Sequence, residues 1–284
     1  METVETIERA DEELGRWRMF RKEAGPALRP FASRLVGYDQ DRPTLSTHVT
    51  PANVLLPFVI GLGSPHQIVS PGSAPAPIGS FIAGIHDAAG EISAHHFSGV
   101  QVDLTPLGAY RLLGGATAAL TGTAVPLADA IGPDASALVE QVGNDPGWGQ
   151  RLERVERFLV AGIERGRAPS PEVEAGWELL VRSGGRLSVD EVARGVGWSS
   201  RHFGQRVVEQ LGMPPKRLAR IIRFHRATRL LETGRSSNLG RLAHDVGYSD
   251  QSHFNHEMKA LSGRTPSDFL RARGISDSSK KSEN

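Results

Sequence analysis

The sequence predicts an α+β protein, with a β-rich N-terminal domain that also contains helices, followed by an all-α domain of two helix-turn-helix units joined by a long helix. Three observations lead to this architecture. Between Pro26 and Gly115, short apolar runs are interrupted by Gly and Pro, which is typical of strands. From about Pro106, apolar residues recur at helical spacing. Near the C-terminus, a segment recurs 50 residues later, which indicates duplicated supersecondary structure.

The N-terminal elements are predicted from these patterns in chain order. Charged residues at helical spacing favour a helix over residues 4–23. The apolar runs that predict strands are Val54–Ile60, Ile68–Val69, Phe81–Ile85 and Phe97–Val102. Because polar and apolar residues do not alternate cleanly, the sheet order is left open. The segments that fit helices are Pro106–Leu113, Asp134–Val142 and Trp148–Arg165.

The domain boundaries follow from the same changes in composition and hydrophobic periodicity along the chain. We expect an N-terminal domain at residues 1–166, a short linker at 167–171, an all-α domain at 172–274 and a disordered tail at 275–284. The two helix-turn-helix units are expected at about 187–211 and 238–262. A helix from Pro215 to Glu232 is expected to join them, because Pro suits a first helical turn.

Composition and charge exclude several classes of protein. The chain has no cysteine, which excludes disulfide frameworks, thiolate metal sites and cysteine nucleophiles. No apolar run approaches the ~20 residues that span a bilayer, and the acidic N-terminus is unlike a signal peptide, so we expect a cytoplasmic protein with no membrane contact. Residues 1–170 carry 14 Lys and Arg against 19 Asp and Glu (net −5), whereas residues 171–284 carry 19 against 13 (net +6). The basic part is the part expected to meet a polyanion.

The two repeated units align closely. VARGVGWS, from Val192 to Ser199, matches LAHDVGYS, from Leu242 to Ser249, at a separation of 50 residues. His202-Phe203 then matches His253-Phe254 at a separation of 51, so the second unit has one extra residue at its turn. In each unit a Gly ends the first helix, as a tight turn between two helices requires.

Capping residues mark the helix starts in both units. Ser188 and Glu191 have the spacing of a capping box. Ser199 or Ser200 is predicted to cap the next helix. The corresponding predicted caps of the second unit are Asn238 and Ser249.

Exposed polar side chains on the second helix of each unit are the candidate DNA-binding residues. In a major groove, Arg pairs with guanine and the amides Asn and Gln pair with adenine. The candidates are Ser200, Arg201 and Gln205 in the first unit and Gln251, Ser252, Asn255, His256 and Lys259 in the second. Arg217 and Arg220 on the long helix are candidate phosphate contacts. The alternative interpretation is that these polar side chains only form the solvent-exposed face of each helix.

Residues from about 180 to 273 resemble the AraC/XylS family of transcription regulators. The run VGYSDQSHF, from Val246 to Phe254, followed by GRTP at Gly263–Pro266 and by Phe269, is similar to the family signature in the second unit. The resemblance implies a sequence-specific DNA-binding regulator whose partners are double-stranded DNA and, for an activator, RNA polymerase.

Several residues depart from the family pattern. His256 stands where the family usually has Arg, Met258 where it has Phe, Gln205 where Arg is common, and Pro214 where Ser or Thr is typical. Gly204 lies in the middle of the first reading helix and has no side chain to contact a base. These departures concern sequence specificity rather than the fold.

The N-terminal domain more weakly resembles the sensor or dimerisation domains of the family, through Leu28–Gly37, Pro51–Leu62 and Gly99–Ala116. This implies an unidentified small-molecule or protein effector, or a homodimer. An enzyme or metal-binding domain fused to a DNA-binding tail is the alternative. His86, His95 and His96, with Asp103 or Glu91, are its candidate ligands, although adjacent residues of a strand face opposite sides. We expect no catalytic residue, no metal and no cofactor.

Overall fold

The computed structural model describes residues 4–11, 15–69, 76–233 and 238–272. These residues form a β-rich N-terminal part with helices and an all-α C-terminal part, which confirms the predicted fold class. The predicted disordered tail, residues 275–284, lies outside the described residues. None of the described helices is both long enough and apolar enough to cross a membrane.

The strands of the described residues form one antiparallel sheet. They are β1 (Glu5–Asp11), β2 (Gly15–Lys22), β3 (Ala32–Thr50), β4 (Leu56–Gly61), β5 (His66–Val69), β6 (Ala76–Ile78), β7 (Phe81–Ala83), β8 (Gly90–Leu104) and β9 (Ala124–Pro126). The sheet order is β1-β2-β3-β8-β4-β7-β9, with β5 pairing with β6 and β8. The long strands β3 and β8 pair with each other, so they form the centre of the sheet.

The predicted helix over residues 4–23 is wrong, because this segment forms the antiparallel pair β1 and β2. Opposite charges that could have paired along a helix instead face each other across strands, as Glu8 does with Arg18. Tertiary contacts favour the strand: the Phe20 ring stacks on Trp148 at a centroid distance of 4.7 Å. The buried Lys22 also forms an ion pair with Glu156.

Each of the other apolar runs overlaps a strand, and two of the runs extend beyond the strand that they overlap. The run at Val54–Ile60 corresponds to β4, and Ile68–Val69 lies in β5. The first three residues of the run at Phe81–Ile85 form β7, which ends at Ala83. Phe97–Val102 lies within the much longer β8.

The helices follow the predicted order. The N-terminal part contains α1 (Pro106–Leu112), the 3-10 helix Ala116–Leu120, α2 (Leu127–Ile131), α3 (Asp134–Asn144) and α4 (Trp148–Arg165). The C-terminal part contains α5 (Pro171–Arg182), α6 (Val189–Gly195), α7 (Ser200–Leu211), α8 (Pro215–Glu232), α9 (Leu239–Val246), α10 (Gln251–Ser262) and α11 (Pro266–Ala272). The predicted bounds of α4 and α8 are confirmed.

A continuous set of buried side chains joins the two parts of the chain. Helix α4 packs against β3 and α1, and α1 in turn packs against α7. The segment between α4 and α5 is held on both sides. A Cβ at Gly166 would lie 1.9 Å from the carbonyl oxygen of Arg111, and the backbone N–H of Ser170 donates to Oε1 of Gln210 at 2.8 Å.

Candidate nucleic-acid interface

The two helix-turn-helix units have closely matching geometry. Helices α7 and α10 are each 12 residues long and begin 51 residues apart. Phe203 of α7 and Phe254 of α10, which are also 51 residues apart, are both fully buried. Helices α6 and α9 precede them in the two units. The duplication in the sequence therefore appears as two equivalent helix pairs.

The helix caps agree with the prediction at three of four positions. Ser188 and Glu191 form a capping box, and Ser199 caps α7 by accepting from the backbone N–H of His202. Asn238 caps α9. The predicted cap Ser249 is wrong, since Asp250 caps α10.

The extra residue of the second unit explains this exchange of caps. Asp250 is the added residue, and its carboxylate accepts from the backbone N–H of His253 at 2.8 Å. That bond, together with one from the Ser249 hydroxyl, holds the pKa of Asp250 below its usual range. A carboxylate at a helix N-terminus also interacts favourably with the helix dipole. The start of α10 is therefore fixed by a charged cap.

Each turn uses a glycine and an aromatic residue in the same way. Gly197 and Gly247 have φ values of 76° and 94°, in the left-handed region that favours glycine. The next residue in each unit, Trp198 or Tyr248, packs edge-on against a histidine of the following helix. The turn therefore sets the angle between the two helices of each unit.

The exposed faces of α7 and α10 consist of corresponding positions. With 3.6 residues per turn, Arg201, Gln205 and Val208 of α7 lie on the side of the helix away from the buried Phe203, whereas Ser200 and Gly204 lie beside it. The corresponding pairs are Ser200 and Gln251, Arg201 and Ser252, Gly204 and Asn255, Gln205 and His256, and Val208 and Lys259. All eight candidate base-contacting residues lie on these two faces, but only α10 has a polar side chain at every position.

Asn255 occupies the centre of the α10 face. It is half-buried, and its Oδ1 atom is buried without a hydrogen-bond partner among the described residues. The corresponding position in α7 is Gly204, where an added Cβ would meet nothing within 4 Å. The two units therefore differ most at the middle of the reading helix.

The arginines of α8 connect the two units to each other. Arg220 pairs with Glu257 of α10 at 2.6 Å, and both side chains are largely shielded from solvent. Arg223 donates to the carbonyl oxygen of Gly185, which precedes α6, at 2.6 Å. The predicted phosphate contact Arg220 thus already has a carboxylate partner inside the domain.

Arg217, the other predicted phosphate contact, points toward the N-terminal part. Its guanidinium lies 3.4 Å from Asp87 while 60% of its side chain is exposed. An exposed pair of this kind contributes about 0–1 kcal/mol, so the arginine remains available to a phosphate.

The N-terminal part also contacts the ends of both reading helices directly. Thr117 and Thr121 donate to the carbonyl oxygens of Gln210 and Gly212, each at 2.7 Å, where α7 ends. The backbone N–H of Ala52 donates to the carbonyl oxygen of Leu261 in α10 at 2.7 Å. Both helices that carry the candidate residues are therefore hydrogen-bonded to the sheet domain.

A cavity of about 750 Å³ lies in the N-terminal part, on the side that faces α7. Its walls come from β3, β4, β5, β7 and β8 and from the segment between β7 and β8. Met213, which follows α7, also lines it and is buried. The sequence did not predict this cavity, because residues from many separate segments form its wall.

The histidines that the alternative interpretation named as metal ligands do not come together in the structure. His95 is exposed and His96 lies 3.4 Å from Asp39. His86 contacts the carbonyl oxygen of Pro51 at 3.1 Å. Within the described ranges, no three His, Asp or Glu side chains form a group that could hold a metal ion.

Comparison with protein families identifies the C-terminal part. A family model described as a helix-turn-helix domain matches residues 177–272, the range that contains both helix pairs. This part of the chain is an AraC-type helix-turn-helix domain. Helix-turn-helix domains of this kind bind DNA in transcription regulators. No curated protein matches the chain in sequence.

Some of the solved structures similar to the chain cover about two fifths of it, and others cover most of it. An AraC-type regulator from Chromobacterium violaceum is 24% identical over 36% of this chain and 92% of its own, with a TM-score of 0.34. The C-terminal domain of AraT from Geobacillus stearothermophilus is 25% identical over 40% and 94%, with a TM-score of 0.36. ToxT from Vibrio cholerae, bound to an unsaturated fatty acid, is 11% identical over 81% and 96%, with a TM-score of 0.45.

Proposed function

We propose that the AraC-type domain reads DNA by placing α7 and α10 in successive major-groove segments, and that the N-terminal domain controls this binding. In this proposal, residues 172–274 bind double-stranded DNA and residues 1–166 respond to a small-molecule effector. The observation that carries the proposal is the pair of corresponding polar faces on two equivalent helices. Successive major-groove segments on one side of DNA lie about 34 Å apart.

The contacts within the domain support simultaneous binding by both helices. Arg220 joins α8 to α10, and Arg223 joins α8 to the segment before α6. Helix α8 therefore holds the two units in one relative orientation. Because DNA would have to adapt to this fixed spacing, part of the specificity would come from the deformability of the site.

The candidate residues take different roles in this arrangement. Gln251, Ser252, Asn255, His256 and Lys259 on α10, and Ser200, Arg201 and Gln205 on α7, face the groove. Arg217 contacts phosphate. We assign Arg220 a positioning role, because its guanidinium binds Glu257 rather than extending into solvent.

Selection of duplexes from a random pool with the full-length chain supplies the DNA for the test. The ratio of Kd for random DNA to Kd for selected DNA, at one fixed salt concentration, measures discrimination. Arg201→Ala and Asn255→Ala should each lower this ratio about tenfold, because a good side-chain-to-base contact contributes about 1–3 kcal/mol of discrimination. Arg182→Ala is the control, since Arg182 lies on α5 and pairs with Glu178. Unchanged discrimination in both variants would show that the reading face is assigned wrongly.

A second measurement separates phosphate contacts from base contacts. Arg217→Ala should weaken binding to selected and random DNA equally and reduce the slope of log K against log salt by about 0.9. A loss confined to the selected sequence would contradict the phosphate role.

Control by the N-terminal domain is tested at its contacts with α7. Replacing both Thr117 and Thr121 by Val removes the hydrogen bonds to the end of that helix. We expect the Kd for selected DNA to change at least threefold. Thr47→Val, on an exposed part of β3, is the matched control. Equal affinity of the double variant and the wild type would refute control through this contact.

A further inference from the structure

The cavity in the N-terminal domain combines aromatic walls with a single deeply buried polar side chain. His66 is 1% exposed, and its ring lies 5.6 Å from the centroid of Phe81 and 5.3 Å from that of Phe97. All three residues line the cavity. At about 750 Å³ the space falls within the range of small-molecule sites.

The imidazole of His66 lines this space and has a ring nitrogen without a hydrogen-bond partner among the described residues. Burial lowers its pKa, so the ring is neutral near pH 7. The backbone carbonyls of Gly79 and Ile78 take a hydrogen bond from the ring, whereas Nδ1 is buried and has no partner among the described residues. A neutral imidazole has one donor and one acceptor nitrogen. Because Nδ1 makes none of these hydrogen bonds, we assign the ring proton to Nε2, which leaves Nδ1 as an acceptor for a donor group of a ligand.

The charges that line the cavity disfavour an anion. Among the described lining residues, Asp87, Glu91 and Asp103 contribute carboxylates and Arg21 contributes a guanidinium. A cation at the His66 end would lose its hydration between two phenyl rings, a cost that a neutral group does not incur. A neutral hydroxyl group satisfies Nδ1 without either cost.

We propose that this cavity binds a neutral aromatic molecule whose hydroxyl group donates to Nδ1 of His66, and that the bound molecule acts on α7 through Met213. The second half rests on the proposed function, because it concerns the orientation of a reading helix. Its structural basis is the position of Met213, which is 1% exposed and lines the cavity directly after Gly212. Gly212 itself ends α7 and accepts a hydrogen bond from Thr121, another cavity residue.

The ligand class is tested by calorimetric titration of the full-length protein with three naphthalenes. We expect 2-naphthol to bind at least tenfold more tightly than 2-methoxynaphthalene, which lacks the donor, and than 2-naphthoate, which is an anion. His66→Leu should remove about tenfold of the 2-naphthol affinity, the size of one hydrogen bond, and leave the methoxy compound unaffected. Gln67→Ala, the exposed neighbour on β5, is the control.

Three results would overturn this part of the proposal. They are no binding of 2-naphthol, equal binding of the three compounds, and an unchanged preference for 2-naphthol in His66→Leu. Thermal unfolding of each variant establishes that it is folded before titration.

Transmission to α7 is tested by amide hydrogen exchange, which requires no DNA. Adding 2-naphthol should slow exchange in residues 200–216 of the wild type. At saturating 2-naphthol, Met213→Ala should lose this effect, and the conservative Met213→Leu should keep it. Thr121→Val, which removes the bond to Gly212, should weaken the effect in a protein whose core is unaltered.

Slowed exchange confined to the N-terminal sheet, or an undiminished effect in Met213→Ala, would refute transmission through Met213. These outcomes are distinct from a failure of the proposed function. If 2-naphthol binds and protects α7 but no duplex is selected from the random pool, the DNA-reading proposal fails and the cavity assignment stands.

Discussion

Two glycines inside helices of the AraC-type domain should respond in opposite ways to replacement by alanine. Gly204 lies in α7 and Gly176 in α5. In both helices, Ala in place of Gly restricts the unfolded chain and favours the helix by about 0.5–1 kcal/mol. A Cβ at position 204 would meet nothing within 4 Å. Gly204→Ala should therefore raise the free energy of unfolding by that whole amount.

The same methyl group at position 176 has no room. Its Cβ would lie 2.4 Å from Cε2 and 2.7 Å from Cζ of Phe203, far inside the ~3.5–4.0 Å of an ordinary carbon contact. The Phe203 ring is fully buried, and inserting a carbon into a packed core costs about 1–3 kcal/mol. After the gain in helix propensity, Gly176→Ala should lose about 1–2 kcal/mol of stability.

Urea unfolding followed by circular dichroism measures both changes from the shift in transition midpoint at constant slope. The expected result is a higher midpoint for Gly204→Ala and a lower midpoint for Gly176→Ala. If Gly204→Ala destabilises the protein, the exposed face of α7 is packed rather than open. If Gly176→Ala stabilises it, the close approach of α5 to Phe203 is incorrect.

Three further predictions concern charge, pH and capping. Glu257→Gln should lower the free energy of unfolding by about 1–2 kcal/mol, because its partner Arg220 is only 27% exposed; a double-mutant cycle with Arg220→Gln that gives no coupling would contradict the pair. Burial lowers the pKa of His225 to about 4, below the ~6.5 of an unfolded histidine. The contribution of the neutral His225 to the free energy of unfolding is therefore complete above pH ~6.5 and is lost as pH falls toward 4, by up to about 3 kcal/mol. The free energies of unfolding of the wild type and of His225→Gln should diverge as pH changes across this range. A difference that stays constant with pH would refute the prediction. Asn238→Ala should cost about 1 kcal/mol, whereas Ser249→Ala should cost less because Asp250 caps α10; equal losses in urea midpoints would contradict this assignment.

Much of the C-terminal domain could be predicted from local signals. Ser188 and Glu191 predicted the capping box, and the buried Phe203 and Phe254 followed from helical spacing. Such features depend on residues a few positions apart, so the chain encodes them locally. The cap of α10 was the exception, because the position of the one-residue insertion decides between Ser249 and Asp250.

The N-terminal hairpin shows where local signals are insufficient. The charged residues of β1 and β2 fit a helix as well as a strand, since opposite charges can pair along a helix or across two strands. The stacking of Phe20 on Trp148, more than a hundred residues away in the chain, favours the strand. Gly37 belongs to the same contact, because a Cβ there would lie 2.5 Å from the Trp148 ring.

The candidate DNA-binding residues divide along the same line. Helical periodicity predicted exposed positions for Arg201 and Asn255, and the structure shows Arg201 exposed but Asn255 half-buried. The sequence could not determine that Arg220 is paired with Glu257 or that Arg217 lies beside Asp87. Those partners are distant in the chain, and only the packed structure brings them within reach.

Local signals in the sequence are sufficient to predict the architecture of the reading domain: two duplicated helix pairs, their turns and a joining helix from Pro215 to Glu232. Each of these rests on short-range periodicity, capping or glycine conformation, which a few neighbouring residues specify. The sheet order, the cavity around His66 and the contact of Met213 with that cavity become visible only in the folded protein. These features depend on segments far apart in the chain, whose contacts form only when the chain packs.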